Sequence, residues 1–314
     1  MKNILVTGGT GYVGTLLTRR LLQEGHKVVV VDTMWFGDYL EEHENLSKIK
    51  ANILDIDLIP MQGIDTVFHL ANIANDPTGD LNSRLTWEVN VLASKLLVEK
   101  AIDCGVKQFI YASSGSVYGI KDEEHVTEEL SLVPISDYNK TKMISERVLL
   151  SYKDRINFVS LRPATVCGYS PRMRLDVSVN MLTMQALQNK KITVFGGDQV
   201  RPNIHIQDMV NVYLHFLKHD NLVGIYNAGF ENISILDIAN RVVKEIDAEI
   251  IVTPSNDPRS YRLNADKLLS TGFSPEYNVD CAIAEIIKHY NKGDLRDEEK
   301  HYNLKVMKKL GLGA

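Results

Sequence analysis

Cysteine is scarce in this 314-residue chain: Cys104, Cys167 and Cys281 stand far apart and no Cys-x-x-Cys occurs. A disulfide framework is thereby excluded, and the three read as free thiols of a reducing compartment. Long apolar runs are missing too. None approaches the ~20 residues that a membrane span requires. No block of lysine or arginine stands out, and 35 basic against 40 acidic residues leave a net charge of −5. Without a phosphate-backbone footprint, nucleic acid is not an expected partner, nor is a membrane. The first residues run directly into an apolar strand with no signal-peptide pattern, so a cytoplasmic protein is expected. Internal repeats and low-complexity stretches are absent. What remains is ordinary globular composition, 44% apolar and 24% charged, with enough length for one large α/β unit or two interlocked domains.

The first ordered pattern lies at the start. Asn3 to Thr7 is a short apolar run that ends in Gly8-Gly9-Thr10-Gly11-Tyr12-Val13-Gly14. A helix follows with Val13, Leu16, Leu17 and Leu21 on one face, then a strand from Lys27 to Val31 with Asp32 at its end. Strand, glycine turn, helix, strand and acidic residue in this order form a dinucleotide fingerprint. Gly8 and Gly11 let the backbone approach a pyrophosphate, Gly14 permits close helix–strand packing, and Tyr12 and Val13 open the helix whose N-terminus faces the phosphates. Asp32 accepts from a ribose diol and repels a 2′-phosphate, so NAD is expected over NADP.

Apolar strands and amphipathic helices go on alternating. Ile49–Ile53 and Thr66–Ala71 read as the third and fourth strands, Leu85–Cys104 as a helix, Gln108–Ser113 and Asn157–Arg162 as the fifth and sixth strands. Repeated β–α units of this length predict a Rossmann-type α/β fold, a doubly wound parallel sheet with helices on both faces and ligands beyond the carboxyl ends of its strands. After Pro163 the rhythm changes to a turn-rich basic stretch, Cys167 to Arg174, and then to shorter helices and strands. This predicts a smaller C-terminal α/β substrate domain, with residues 1–166 and about 203–229 in the dinucleotide domain and 167–202 and 230–314 in the other. The tail after Gly293 reads as a peripheral helix.

The most suggestive chemistry is Tyr138-Asn139-Lys140-Thr141-Lys142. Ser136 sits where a helix N-cap belongs, and the helix predicted from Asp137 to about Tyr152 places Tyr138 and Lys142 one above the other. A nearby ammonium stabilises a phenolate, so the pair is expected to work as a general base near neutral pH. Tyr-x-x-x-Lys by itself is also common on solvated helix faces. Its context decides.

That context resembles the extended short-chain dehydrogenase/reductase family, within it the nucleotide-sugar epimerases and dehydratases. The matching residues are Thr7-Gly8-x-x-Gly11-x-x-Gly14, Asp32, His69-Leu70-Ala71, Asn90, Tyr111 to Gly119, Tyr138-x-x-x-Lys142, Arg201 to Asp208 and Pro258-Arg259-Ser260-Tyr261. They cover nearly the whole chain in order. The resemblance implies Tyr138 as catalytic base, Lys142 as its partner and a ligand of the nicotinamide ribose, and Ser114 on the sugar hydroxyl with Ser116 behind it. It implies Leu70, Ala71, Asn90, Ser113 and Pro163 along the cofactor and Asn52-Ile53 at the adenine, with Asp55 the alternative in another register. Arg201 and Arg259 would clamp a substrate diphosphate, with Phe195 near its base and Thr165 and Asn180 on the substrate side. Arg172 and Arg174 would reach phosphate or sugar, or shape their loop. His69 is expected to be a satisfied structural histidine, and no metal is expected.

Three departures stand out. Asn52 replaces a common aspartate, Thr165 and Cys167 replace the asparagine and tyrosine of Arg-x-x-Asn-x-Tyr-Gly, and Asn72 follows His-Leu-Ala. Dehydratases of this family usually carry Thr-Asp-Glu where this chain has Ser114-Gly115-Ser116, which disfavours elimination of water. The resemblance therefore implies an NAD-dependent nucleotide-sugar epimerase acting at C4 through a 4-keto intermediate. The alternatives are a 4-dehydrogenase or 4-ketoreductase, and a non-catalytic cofactor-binding regulator. Relatives commonly form homodimers through the two helices that here begin near Leu85 and Asp137, with Leu92, Leu96, Val148 and Tyr152 as an apolar seam. Surface polysaccharide biosynthesis is the family's common destination.

Overall fold

The computed structural model describes residues 1–255 and 260–313. Its strands are β1 (Asn3–Thr7), β2 (Lys27–Asp32), β3 (Leu46–Lys50), β4 (Thr66–His69), β5 (Gln108–Ala112), β6 (Asn157–Pro163), β7 (Thr165–Cys167), β8 (Lys191–Phe195), β9 (Val200–His205), β10 (Gly224–Ala228), β11 (Glu231–Ser234) and β12 (Glu249–Thr253). The helices are α1 (Tyr12–Gln23), α2 (Asp76–Gly79), α3 (Ser83–Trp87), α4 (Ala93–Asp103), α5 (Asp137–Leu150), α6 (Ser178–Asn189), α7 (Ile206–Lys218), α8 (Ile235–Glu245), α9 (Asp266–Leu269), α10 (Val279–Lys292) and α11 (Asn303–Lys309).

Seven strands form one sheet in the order β10-β6-β5-β4-β1-β2-β3, and every neighbouring pair is parallel. Side chains of successive residues point to opposite faces. Ile4, Val6, Phe68 and Ile110 accordingly join one core with Leu17 and Leu21 of α1 and Val210 and Leu217 of α7. Leu5, Val67, Phe109 and Tyr111 join the other with Leu97 and Val98 of α4 and Leu149 of α5. Burial on both faces explains why these strands read as near-continuous apolar runs. Beyond them lie a three-stranded sheet, β11-β9-β7, and the pair β12-β8. A separate core there gathers Val179 and Leu182 of α6, Ile192 and Val194 of β8, Ile238 and Val242 of α8 and Ile283 of α10.

Several elements differ from the sequence expectation. The third strand ends at Lys50, because Asn52 turns the chain by accepting from Leu54 N–H with its own side chain. The helix expected over Leu85–Cys104 is α3 and α4 joined by a π-helical turn, Glu88–Leu92. Patterning gives no sign of β7, β9 or β11: β7 and β11 are short, and Pro202 in β9 argues against a central strand. The tail is not peripheral. Met307 of α11 is buried in the same core as Leu5, and Leu312 packs against it. No helix among the described residues is long and apolar enough to cross a membrane.

A buried ion pair fixes α5 to the sheet. Arg162 Nη2 lies 2.6 Å from Glu146 Oε1 with both side chains closed to solvent, and Ser160 Oγ donates to the same carboxylate. Arg162 Nη1 also donates to Tyr118 OH, which donates to Asn227 Oδ1 of β10. One arginine thereby sets α5, the turn after β5 and the edge strand relative to one another.

Candidate active site

One cleft runs along the carboxyl ends of the parallel strands. Its floor is the turn between β1 and α1, where backbone lies against backbone. A Cβ on Gly8, whose φ is +76°, would come 2.6 Å from Ala71 N, and one on Gly14 would come 2.1 Å from Gly8 O. Only glycine fits at either position. No side chain caps the α1 N-terminus, so its N–H groups and dipole are left for a ligand. The Asp32 carboxylate is aimed by two backbone donors, Thr10 N at 3.1 Å and Met34 N at 2.8 Å. Burial raises its pKa and these bonds oppose the rise. Trp35, Phe36, Asn52 and Ile53 line the cleft beyond it, and so do Tyr12, Val13, Leu70, Ala71, Ser113 and Pro163. Ser113 Oγ is buried without a partner. A glycine cradle, an aimed carboxylate and an unpartnered hydroxyl in one groove fit a dinucleotide.

At the other end stands Tyr138, in the first turn of α5, whose N-cap Ser136 accepts from Asn139 N–H. Gly79 of α2 abuts it so closely that a Cβ there would lie 2.8 Å from Tyr138 Cβ. The Tyr138 hydroxyl is hydrogen-bonded to Ser114. Ser114 Oγ lies 2.7 Å from Ser116 Oγ, which donates to Asn139 Oδ1 at 2.5 Å. Asn139 lies about 100° around the helix from Tyr138, so the spacing that singles out Tyr138 and Lys142 passes it over.

The charge state of the pair departs from expectation. Lys142 is buried, and its Nζ donates to Ala112 O at 2.6 Å, 5.9 Å from the centre of the Tyr138 ring. Desolvation lowers its pKa to about 7. The same desolvation pushes the Tyr138 phenol up to about 12, outweighing the Ser114 hydrogen bond that lowers it. In the protein alone, burial works against the charged form of each.

The walls are held by groups that do not reach the cleft. Asn90, on the π-helical turn, accepts from Ile73 N at 2.8 Å and donates to Ile73 O and Thr141 Oγ1. It therefore fixes the loop after β4 to α5. His69 bridges Thr7 Oγ1 and Ser94 Oγ, and burial lowers its pKa to about 3, so it stays neutral. The side chain of Asn72 lines the cleft with Oδ1 buried and unpartnered.

From the chain beyond β5, the structure brings Ser114, Ser116, Thr165, Arg172, Arg174, Arg201 and Tyr261 to one cleft. Arg172 lies at the Asp32 end, its guanidinium 4.2 Å over the Phe36 ring. Asn180 does not line the cleft: its amide donates to Tyr12 OH and Arg174 O and accepts from Gly168 N. Phe195 lies outside the cleft on β8, 59% exposed. Arg259 falls outside the described residues. Asp176, at the end of the Ser170-Pro171-Arg172-Met173-Arg174-Leu175-Asp176 stretch, and Asn303, which no motif marks, brace the cleft wall. No group of three or more potential metal ligands occurs among the described residues.

Comparison with known proteins agrees with this geometry. The chain is 28% identical to a UDP-glucose 4-epimerase of Lactobacillus helveticus over 331 aligned residues, 95% of this chain and 99% of that one. An uncharacterized UDP-glucose epimerase of Bacillus subtilis (strain 168) is 34% identical over 76% of this chain and 80% of its own length. Among solved structures, the UDP-glucuronic acid 4-epimerase of Bacillus cereus, in complex with UDP-glucuronic acid and NAD, superposes with a TM-score of 0.80 at 28% identity. That match covers 92% of this chain and 99% of that one. Residues 4–229, which carry the glycine turn, Asp32, Tyr138 and Lys142, match a single family description, and the chain belongs to the NAD dependent epimerase/dehydratase family.

Proposed function

We propose that this protein is an NAD-dependent nucleotide-sugar epimerase acting at C4 of the sugar. The observation that carries this reading is the polar set around Tyr138. Ser114, Ser116 and Asn139 offer hydroxyls and an amide where elimination of water needs a carboxylic acid and a carboxylate, and Tyr138 is the proton-transfer group hydrogen-bonded to this set. NAD, when bound, would supply reversible hydride acceptance from C4 of the sugar. Tyr138 removes the O4 proton in concert with C–H cleavage and later gives it back. Ser114 orients the hydroxyl, and the chain through Ser116 to Asn139 fixes Ser114. Lys142, held by Ala112 O beneath the Tyr138 ring, would stand on the cofactor side of the pair.

Asp32 and the glycine turn would hold the adenosine and diphosphate of the cofactor. Arg201 and Thr165 would face the sugar nucleotide, and Arg259 belongs to the same proposal from sequence alone. The UDP specificity of the relatives makes UDP-sugars the first substrates to try. The separate core around α6, α8 and α10 supports the division into a dinucleotide domain and a smaller substrate domain. The part-exposed seam of Leu92, Leu96, Val148 and Tyr152 supports a homodimer. In the test, UDP-glucose and UDP-glucuronic acid are incubated with the protein and the 4-epimers resolved by chromatography, while nucleotide released from denatured protein is quantified. An epimer formed without added cofactor is expected. Tyr138→Phe should lower turnover by about 10²–10⁴-fold with NAD affinity kept. Net oxidation or reduction that requires added cofactor would make the protein an exchanging dehydrogenase or reductase instead.

A further inference from the structure

The stretch from Arg172 to Asp176 is tied to two distant parts of the chain. Asp176 Oδ1 accepts from Arg174 Nε at 2.9 Å, and Oδ2 accepts from Asn75 Nδ2 at 3.2 Å and from Asn303 N at 3.1 Å. One carboxylate thus knots the loop beyond β4, this strap, and the segment entering α11. The strap is held twice more from the same segment. Asn303 Oδ1 accepts from Arg172 Nη2 at 2.5 Å, and His301 O accepts from Leu175 N at 2.9 Å.

These contacts leave two donors open. Arg172 Nε and Arg174 Nη2 are buried without a hydrogen-bond partner, and both arginines line the cleft. A buried donor left unmade costs about 1–3 kcal/mol, and two guanidinium forks along one groove match the oxygens of a diphosphate. Either the cofactor or a sugar nucleotide could bring that diphosphate. Position favours the cofactor most clearly for Arg172, which stacks on Phe36 beside Asp32; Arg174 lies near Tyr138 and near Tyr12, which opens α1 directly after the glycine turn.

We infer that Arg172 and Arg174 clamp the diphosphate of the dinucleotide, and that Asp176 and Asn303 are positioning residues that latch the clamp shut through turnover. The inference deepens the epimerase reading and rests on its cofactor. It assigns Arg172 away from the sugar, and it gives α11 a part in cofactor retention.

The test uses the full chain with Asn303→Ala, with Asn303→Asp as the rescue because a carboxylate oxygen still accepts from Arg172. Affinity for NAD⁺ and for UDP is measured by calorimetry, and NAD⁺ dissociation by stopped-flow fluorescence. Asn303→Ala should weaken NAD⁺ at least tenfold through faster dissociation, leave UDP within twofold, and be restored by Asn303→Asp. Arg172→Lys, which keeps the charge and loses the fork, should weaken NAD⁺ similarly and serves if Asn303→Ala does not fold. Unchanged NAD⁺ affinity in the folded variants would overturn the inference, and so would a loss confined to UDP. Loosened NAD⁺ in a protein that epimerises nothing would leave the clamp standing and remove the epimerase. Epimerisation with unaltered NAD⁺ retention would do the reverse.

Discussion

Lys142 offers the sharpest test of the electrostatics. Its pKa falls from 10.5 to about 7 because burial opposes the charged form, and one pKa unit is worth about 1.4 kcal/mol. In the unfolded chain the lysine holds its proton up to about pH 10, whereas in the folded protein it releases it near 7. Between those values the unfolded state binds more protons, so stability contributed at this site rises with pH across that window. From pH 6 to pH 10 the change is about 4 kcal/mol. Lys142→Met removes the titration and also strips Ala112 O of its donor, a roughly 1–3 kcal/mol loss that does not depend on pH. The variant, freed of bound nucleotide, should therefore match or exceed the wild type in stability near pH 6 and fall clearly below it near pH 10. Urea unfolding at several pH values reads the difference between the two proteins directly. Parallel curves from pH 6 to pH 10 would refute the argument that Lys142 sits desolvated.

Glu146→Gln would leave the buried Arg162 guanidinium without its counter-charge. A loss of about 3–5 kcal/mol in urea unfolding is expected, and a shift below about 1 kcal/mol would show the pair to be dispensable. Gly14→Ala would drive a methyl group against the Gly8 carbonyl. The protein should keep its far-ultraviolet circular dichroism, lose about 1–3 kcal/mol of stability, and bind NAD⁺ at least tenfold more weakly by fluorescence titration.

Features carried by short stretches of chain are legible in the sequence itself. Gly8, Gly11, Gly14 and Asp32 are meaningful because a turn, a helix start and a strand end are local, and the Tyr138–Lys142 stripe follows from the helical repeat alone. Features created by distant packing are not. The charge state of Lys142 depends on how much solvent the fold removes from it. Arg172 reads as a residue of the substrate side, yet it stands beside Asp32 because the chain after β6 crosses back over the cleft. Asp176 ends the stretch that holds Arg172 and Arg174, but its meeting with Asn303 exists only in the fold, and no motif marks Asn303. Phe195 shows the opposite failure, since an aromatic at a strand end suggests core or stacking and the structure leaves it largely exposed.

The order of the main sheet also bears on how the chain reaches its fold. β10 pairs with β6 only after residues 164–223 have made their excursion through β7, α6, β8, β9 and α7. Closing so long a loop before its contacts can form is entropically slow, and a sheet made wholly of parallel, non-local pairs slows it further. Until β10 arrives, β6 presents a bare apolar edge, the kind of surface on which partly folded chains associate. A fragment cut after Cys167 would keep that edge for good. The protein is thus expected to refold slowly and at low concentration only, and to aggregate when shortened.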